Sequence, residues 1–236
     1  MGTTQRPVMG RPRGFDADQA LERALEVFWR KGYEGATLPH LTEAMGITRT
    51  SMYAAFGNKE DLFRKALERY TLGPAGYGVR ALQEPTARAV AEQVLHGAVQ
   101  CTTRPHGPNG CLTVQGALAA GEGGQAAHDA LVAYRRDGQE ALRARFARAR
   151  DEGDLPADSD PSLLARYIAT VVYGIAVQAA TGVSGEELRS IIDLALQSWP
   201  SRPAPSHARQ GRVPGLDQPR GRCPTPRAGG GTASRS

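Results

Sequence analysis

Arg49, Thr50 and Tyr53 fall within five positions of one another on a short stretch, Thr48 to Phe56, that also holds Met52 and Phe56. On a helical repeat Met52 and Phe56 share one face, and Arg49, Thr50 and Tyr53 are left on the other. Those three can read a DNA groove. An arginine can hold guanine through two parallel hydrogen bonds, a threonine can bond a base edge or meet a thymine methyl, and a tyrosine can bond a phosphate. The solvated face of an ordinary helical bundle can carry the same residue types, so the flanking elements decide between the readings.

Those elements are punctuated by capping residues. Ala20, Leu21, Ala24, Leu25, Phe28 and Trp29 recur at three- and four-residue steps and predict a helix from about Asp16 that stops at Gly32. Thr37 then offers an N-cap oxygen, Pro39 suits a first turn, and Leu38, Leu41, Ala44 and Met45 form a short apolar stripe closed by Gly46. Thr48 caps the next helix, which Gly57 ends, and Asn58 caps a fourth from Lys59 to about Tyr70. Two short capped helices about a glycine turn are the arithmetic of a helix-turn-helix, in which the second helix lies in the major groove and the first braces it. Ahead of them, Arg11 and Arg13 sit in a flexible cationic arm suited to the minor groove or to phosphate. Thr37 and Lys59 stand at helix N-termini, where backbone N–H groups favour a phosphate.

Beyond Tyr70 a glycine-rich stretch, Gly73 to Gly78, reads as a closing loop. Helices are predicted from Thr86 to Thr103, from Cys111 to about Ala120, from Gln125 to Glu152, from near Pro161, and from a Ser184 cap to Trp199. No segment reads as a strand, so the fold class is all-α. The expected organisation is an arm over 1–14, a helix-turn-helix domain over 15–72, a helical ligand-binding and dimerisation domain over 73–199, and a disordered tail over 200–236.

The net charge of +5 belongs to that tail, which carries seven Arg and one Asp from Pro200 onward, so the DNA reading rests on motifs rather than on bulk charge. A non-specific binder working through the basic tail is the competing reading. Three cysteines are too few for a disulfide framework. No apolar run of about 18 residues and no apolar signal core is evident, so a cytoplasmic protein away from membranes is expected. No nucleophile elbow, phosphate loop or metal-binding pair is present. Cys101, His106 and His96 match no zinc spacing, and neither an enzyme nor a cofactor nor a metal is expected.

The stretch from Phe15 to Tyr70, in particular GYEGATLPHLTEAMGITRTSMYAAFGNKEDLF, resembles the tetracycline-repressor (TetR) family of regulators. The shared features are the Gly-aromatic pair ending helix one, the Thr opening helix two, and Gly with an aliphatic residue in the turn. A Tyr and a Phe on the recognition helix and Lys-Glu-x-Leu-Phe opening helix four complete the pattern. The resemblance implies that Thr37, Arg49, Thr50, Ser51, Tyr53 and Lys59 meet operator DNA. It also implies a dimer formed by the last two helices, about 162–180 and 185–199, and a C-terminal cavity for a small-molecule effector. Ala54 and Ala55 depart from the bulkier or polar pair the family often has between the Tyr and the Phe, so fewer base contacts are expected from that end.

For the effector site, Tyr134, Tyr167, Tyr173 and Gln178 are the polar candidates in an otherwise apolar region. Cys111, following a Pro/Gly-rich loop and opening a helix, has two readings: a thiolate favoured by the helix dipole and able to sense an electrophile or oxidant, or a buried structural thiol. The expected function is a ligand-responsive repressor. Effector would favour a dimer state whose recognition helices no longer match a near-palindromic operator.

Overall fold

A computed structural model describes residues 14–105, 107–114 and 124–200. Within them every regular element is a helix. Arg11, Arg13, His106 and the tail from 201 lie outside the described residues, as does most of the helix expected between Cys111 and Ala120, of which only residues 112–114 are seen, as a helical turn.

Helix α1 (Ala17–Gly35) starts at Asp16, whose carboxylate accepts from the amides of Asp18 and Gln19. Where the sequence expects it to end, at Gly32, the backbone leaves helical geometry (φ 67°, ψ 177°) before a last turn to Gly35. Helices α2 (Leu38–Met45) and α3 (Arg49–Phe56) are capped by Thr37 and Thr48. The turn between them depends on Gly46, which takes left-handed geometry at φ 67° and ψ 30°, a conformation that costs glycine little. Asn58 and Asp61 form a reciprocal capping box at the start of α4 (Lys59–Leu72).

The stretch read as a closing loop forms turns over 73–76 and then, from Tyr77, enters a short helix that the reading did not include, α5 (Tyr77–Ala81). Long-range packing of Tyr77 against α6 outweighs the local glycines there. Helix α6 (Ala87–Thr102) follows its Thr86 cap, and α7 (Gln125–Asp151) is the longest at 27 residues. Pro161 opens α8 (Pro161–Ala180), and a capping box between Ser184 and Glu187 opens α9 (Gly185–Gln197).

Two apolar clusters hold these helices. One gathers Phe28, Trp29, Leu41, Met52, Phe63 and Tyr70 from α1–α4 and runs on, without a break, through Cys101, Cys111, Leu112, Leu131 and Ala176. The other joins α6 to α9 through Val90, Leu95, Phe146, Ile168, Ile192 and Trp199. Full burial of each large side chain is worth about 1.5–3 kcal/mol, so the shared part of the first cluster is a mechanical connection. Rings reinforce it: Phe63 meets Phe28 edge-on at 5.1 Å, and Tyr70 meets Trp29 edge-on at 4.7 Å.

By length and composition α8 could cross a membrane, with a mean hydropathy of 1.5, which the sequence reading did not anticipate. Its apolarity has another use here. Ala165, Ile168, Ile175 and Ala179 are buried in the second cluster, while Leu163, Tyr167 and Val177 stay exposed.

Candidate nucleic-acid interface and effector cavity

Met52 and Phe56 are buried and fasten α3 to the core, which turns Arg49, Thr50 and Tyr53 outward. The Arg49 guanidinium carbon stands 5.5 Å from the centroid of the Tyr53 ring. This contact joins residues one turn apart and holds the cation over an aromatic face that is itself 40% exposed. Ser51 is partly committed elsewhere: its amide donates to the Thr48 hydroxyl at 3.1 Å, and that hydroxyl donates to the Ser51 oxygen at 3.0 Å. Ala54 is exposed as well, so the far end of this face presents a methyl group and no polar atom.

The two helix N-termini flank α3. Thr37 is exposed and its oxygen accepts from the His40 amide at 3.4 Å. Lys59 is half-buried, with its ammonium 4.3 Å from the centroid of the Tyr33 ring. Burial lowers its pKa, and Glu34 opposes that shift. Glu60 and Asp61 in the same turn are both engaged by Arg64, which blunts their repulsion of an approaching phosphate.

Behind α4 lies a cavity of about 320 Å³, walled mainly by apolar groups such as Leu82, Val94, Leu142 and Val172. Four phenols face it: Tyr70, Tyr77, Tyr134 and Tyr173. Burial raises the pKa of all four, that of Tyr134 to about 12, so they are neutral hydroxyls at physiological pH. Arg135 also lines the cavity, with its guanidinium carbon 5.7 Å from the centroid of the Tyr173 ring. Cys111 and Thr113 complete the inner wall, with the sulfur and the threonine hydroxyl 3.1 Å apart.

Tyr70 is where the cavity meets the helix-turn-helix. Its hydroxyl is 3.1 Å from the Cys111 sulfur and 3.7 Å from that of Cys101, and its ring lies against Trp29 of α1. Trp29 in turn donates its indole N–H to the Gly110 carbonyl at 3.1 Å. Burial pushes the Cys101 thiol up to about 12. Cys111 is buried too, as the structural-thiol reading expects, yet it stands on the cavity wall.

Of the residues expected at an effector site, Cys111, Tyr134 and Tyr173 come together, but Tyr167 and Gln178 do not join them. Tyr167 turns toward α9 and donates to the Ala195 carbonyl at 3.3 Å. Gln178 is exposed at the end of α8, where its carbonyl accepts from the terminal turn. The helical repeat separates both from Tyr173, and only knowledge of which neighbour each face meets could have revealed it. Sequence reasoning missed Tyr70, treated as one more stripe residue, along with Tyr77 and Arg135. An aromatic isolated among glycines was the one available signal for Tyr77.

Comparison with known proteins bears on both sites. Residues 20–66 match the family described as bacterial regulatory proteins, tetR family, and residues 88–194 match a tetracyclin repressor-like C-terminal domain. The HTH-type transcriptional repressor ComR of Escherichia coli is 29% identical over 193 residues, covering 81% of this chain and 92% of that protein. YezE of Bacillus subtilis, an HTH-type transcriptional regulator, is 30% identical over 195 residues, covering 80% of this chain and 98% of its own length. Among solved structures, a cysteine mutant of the regulator CifR complexed with 26-base-pair double-strand operator DNA is 44% identical with a TM-score of 0.77, covering 80% of this chain and all of that one.

Proposed function

This chain belongs to the TetR family of bacterial regulatory proteins, and from that premise we infer that it is a DNA-binding transcriptional repressor, released from its operator by a small molecule. The observation that carries the reading is the outward face of α3, where Arg49, Thr50 and Tyr53 stand clear of a core fastened by Met52 and Phe56. Arg49 reads a base edge, Thr50 a base edge or thymine methyl, and Tyr53 a phosphate. Thr37, Ser51 and Lys59, with Arg11 and Arg13 of the arm, contact the backbone on either side. The reading is regulatory rather than catalytic, and it puts the chain in the cytoplasm with its operator.

The working unit is a homodimer through α8 and α9. The exposed apolar residues Leu163, Tyr167, Ile191 and Leu194 make a shared face that water disfavours, and a two-fold pairing there gives Tyr167 its role. Such a dimer sets two recognition helices about 34–36 Å apart and calls for a near-palindromic operator.

The effector occupies the cavity lined by Tyr70, Cys111, Tyr134 and Tyr173. Moving the Tyr70 ring disturbs Trp29 on α1 and the end of α4 together, because both belong to one continuous cluster. A coupling of about 1–3 kcal/mol through that contact is enough to change operator affinity roughly 5- to 150-fold.

A comparison of the full chain with one ending at Pro200 tests the reading. Equal affinity for a selected duplex, within about threefold, is the expected result. Loss of binding on truncation would move the DNA contact to the basic tail, where binding carries no sequence preference.

A further inference from the structure

Resting on the cavity as the effector site, we propose that its ligand is a carboxylic acid with a compact apolar body, its carboxylate held by Arg135 and its body lying among the tyrosine rings. Among the described residues Arg135 is the cation that lines this cavity, and its Nε is buried with no hydrogen-bond partner. Among the described residues it makes no ion pair, although carboxylates are plentiful on the same helix. Asp137 pairs with Arg136 at 3.1 Å, Glu140 with Arg143 at 2.6 Å, and Asp129 accepts from Gln125 at 2.8 Å. These acids on the same helix each have a partner, whereas the half-buried Arg135 guanidinium meets the Tyr173 ring and leaves its buried Nε unbonded.

That arrangement is costly without an anion. A buried donor left unmade destabilises the fold, more so when it is charged, and a guanidinium is built to receive a planar carboxylate through two parallel hydrogen bonds. Among the described residues, the rest of the wall carries one other charged group, the carboxylate of Asp137. Burial holds the phenols of Tyr70, Tyr77 and Tyr134 neutral, so they can donate to a second oxygen without repelling an anion. Asp137, also on the lining, is answered by Arg136. A volume of about 320 Å³ sits at the low end for small-molecule sites, which favours a short chain or a single ring over a long acyl chain.

The test uses the full chain and displacement of the neutral dye Nile red by benzoate, cinnamate and octanoate, each beside its amide. The expected result is that at least one acid displaces the dye at a concentration about tenfold or more below its amide, a gap of about 1.4 kcal/mol. Arg135→Gln should erase that gap and Arg135→Lys should retain part of it, with the thermal midpoints of both variants confirming that they fold. Equal displacement by acid and amide, failure of all three acids, or an acid preference that survives in Arg135→Gln would each overturn the acid inference while leaving the cavity reading in place. If Nile red itself does not bind, the cavity reading fails and the acid inference with it.

Discussion

Arg49 holds its guanidinium 5.5 Å from the centroid of the Tyr53 ring, one turn along the exposed face of α3. The pair acts as one unit because the ring limits where the cation can point. Arg49→Ala should weaken operator binding by about 1–3 kcal/mol. Tyr53→Phe, which keeps the ring, should cost less than Tyr53→Ala. A double-mutant cycle by fluorescence anisotropy should give a coupling of about 0.5–1 kcal/mol. Both residues are exposed, so unfolding midpoints should correspond to changes within about 0.5 kcal/mol.

Alkaline pH should destabilise the fold. The Cys101 thiol rises from an ordinary value of 9.0 to about 12, and the Tyr134 phenol from 10.0 to about 12. Each group holds its proton more tightly folded than unfolded, so between those limits the folded state binds more protons and stability falls as pH rises. Urea midpoints should be flat with respect to these groups below about pH 9 and decline from there toward pH 12. By the same logic Cys101 should resist iodoacetamide at pH 8 until the chain unfolds, which peptide mass mapping would report.

Gly97 lies inside α6 where a Cβ would overlap the ring of Tyr77. Alanine improves helix propensity by about 1 kcal/mol, but overpacking costs about 1–3 kcal/mol, so the net change should be destabilising. Because Tyr77 lines the cavity, Gly97→Ala should also reduce Nile red binding. A more stable variant with unchanged dye binding would mean that Tyr77 moves aside at no cost.

Leu194 and Ile191 are 63% and 49% exposed on α9. In the proposed dimer, charges placed there would meet their own copies across the two-fold axis, so the double variant Ile191→Asp, Leu194→Asp should sediment as a monomer. Operator affinity should fall at least about tenfold, since the second half-site no longer contributes. Retention of the dimer would move the interface off this face.

The N-terminal half was open to sequence reasoning because its signals are local. Thr37, Thr48 and Asn58 each cap a helix through an amide three residues ahead, and a contact of that span is visible in the order of residues alone. Met52 and Phe56 fixed the buried side of α3 by their four-residue spacing, which left Arg49 and Tyr53 outside. The cavity depends instead on distant pairings. Tyr70 and Cys111 meet at 3.1 Å across 41 positions, and nothing in the periodicity of α4 separates Tyr70 from an ordinary core residue. Tyr167 and Tyr173 are both aromatic residues on α8, yet one faces α9 and the other the cavity. Arg135 looked like any solvated charge on a long helix, since only the folded wall deprives its Nε of water.

Selection of bound sequences from a random duplex pool, with the wild type beside an Arg49→Ala, Tyr53→Ala double variant, tests the central claim most directly. Recovery of a near-palindrome by the wild type alone is the predicted result, and it would tie sequence-specific binding to this face of α3. Recovery of the same sequences by both proteins, or no enrichment by the wild type at several salt concentrations, would contradict it.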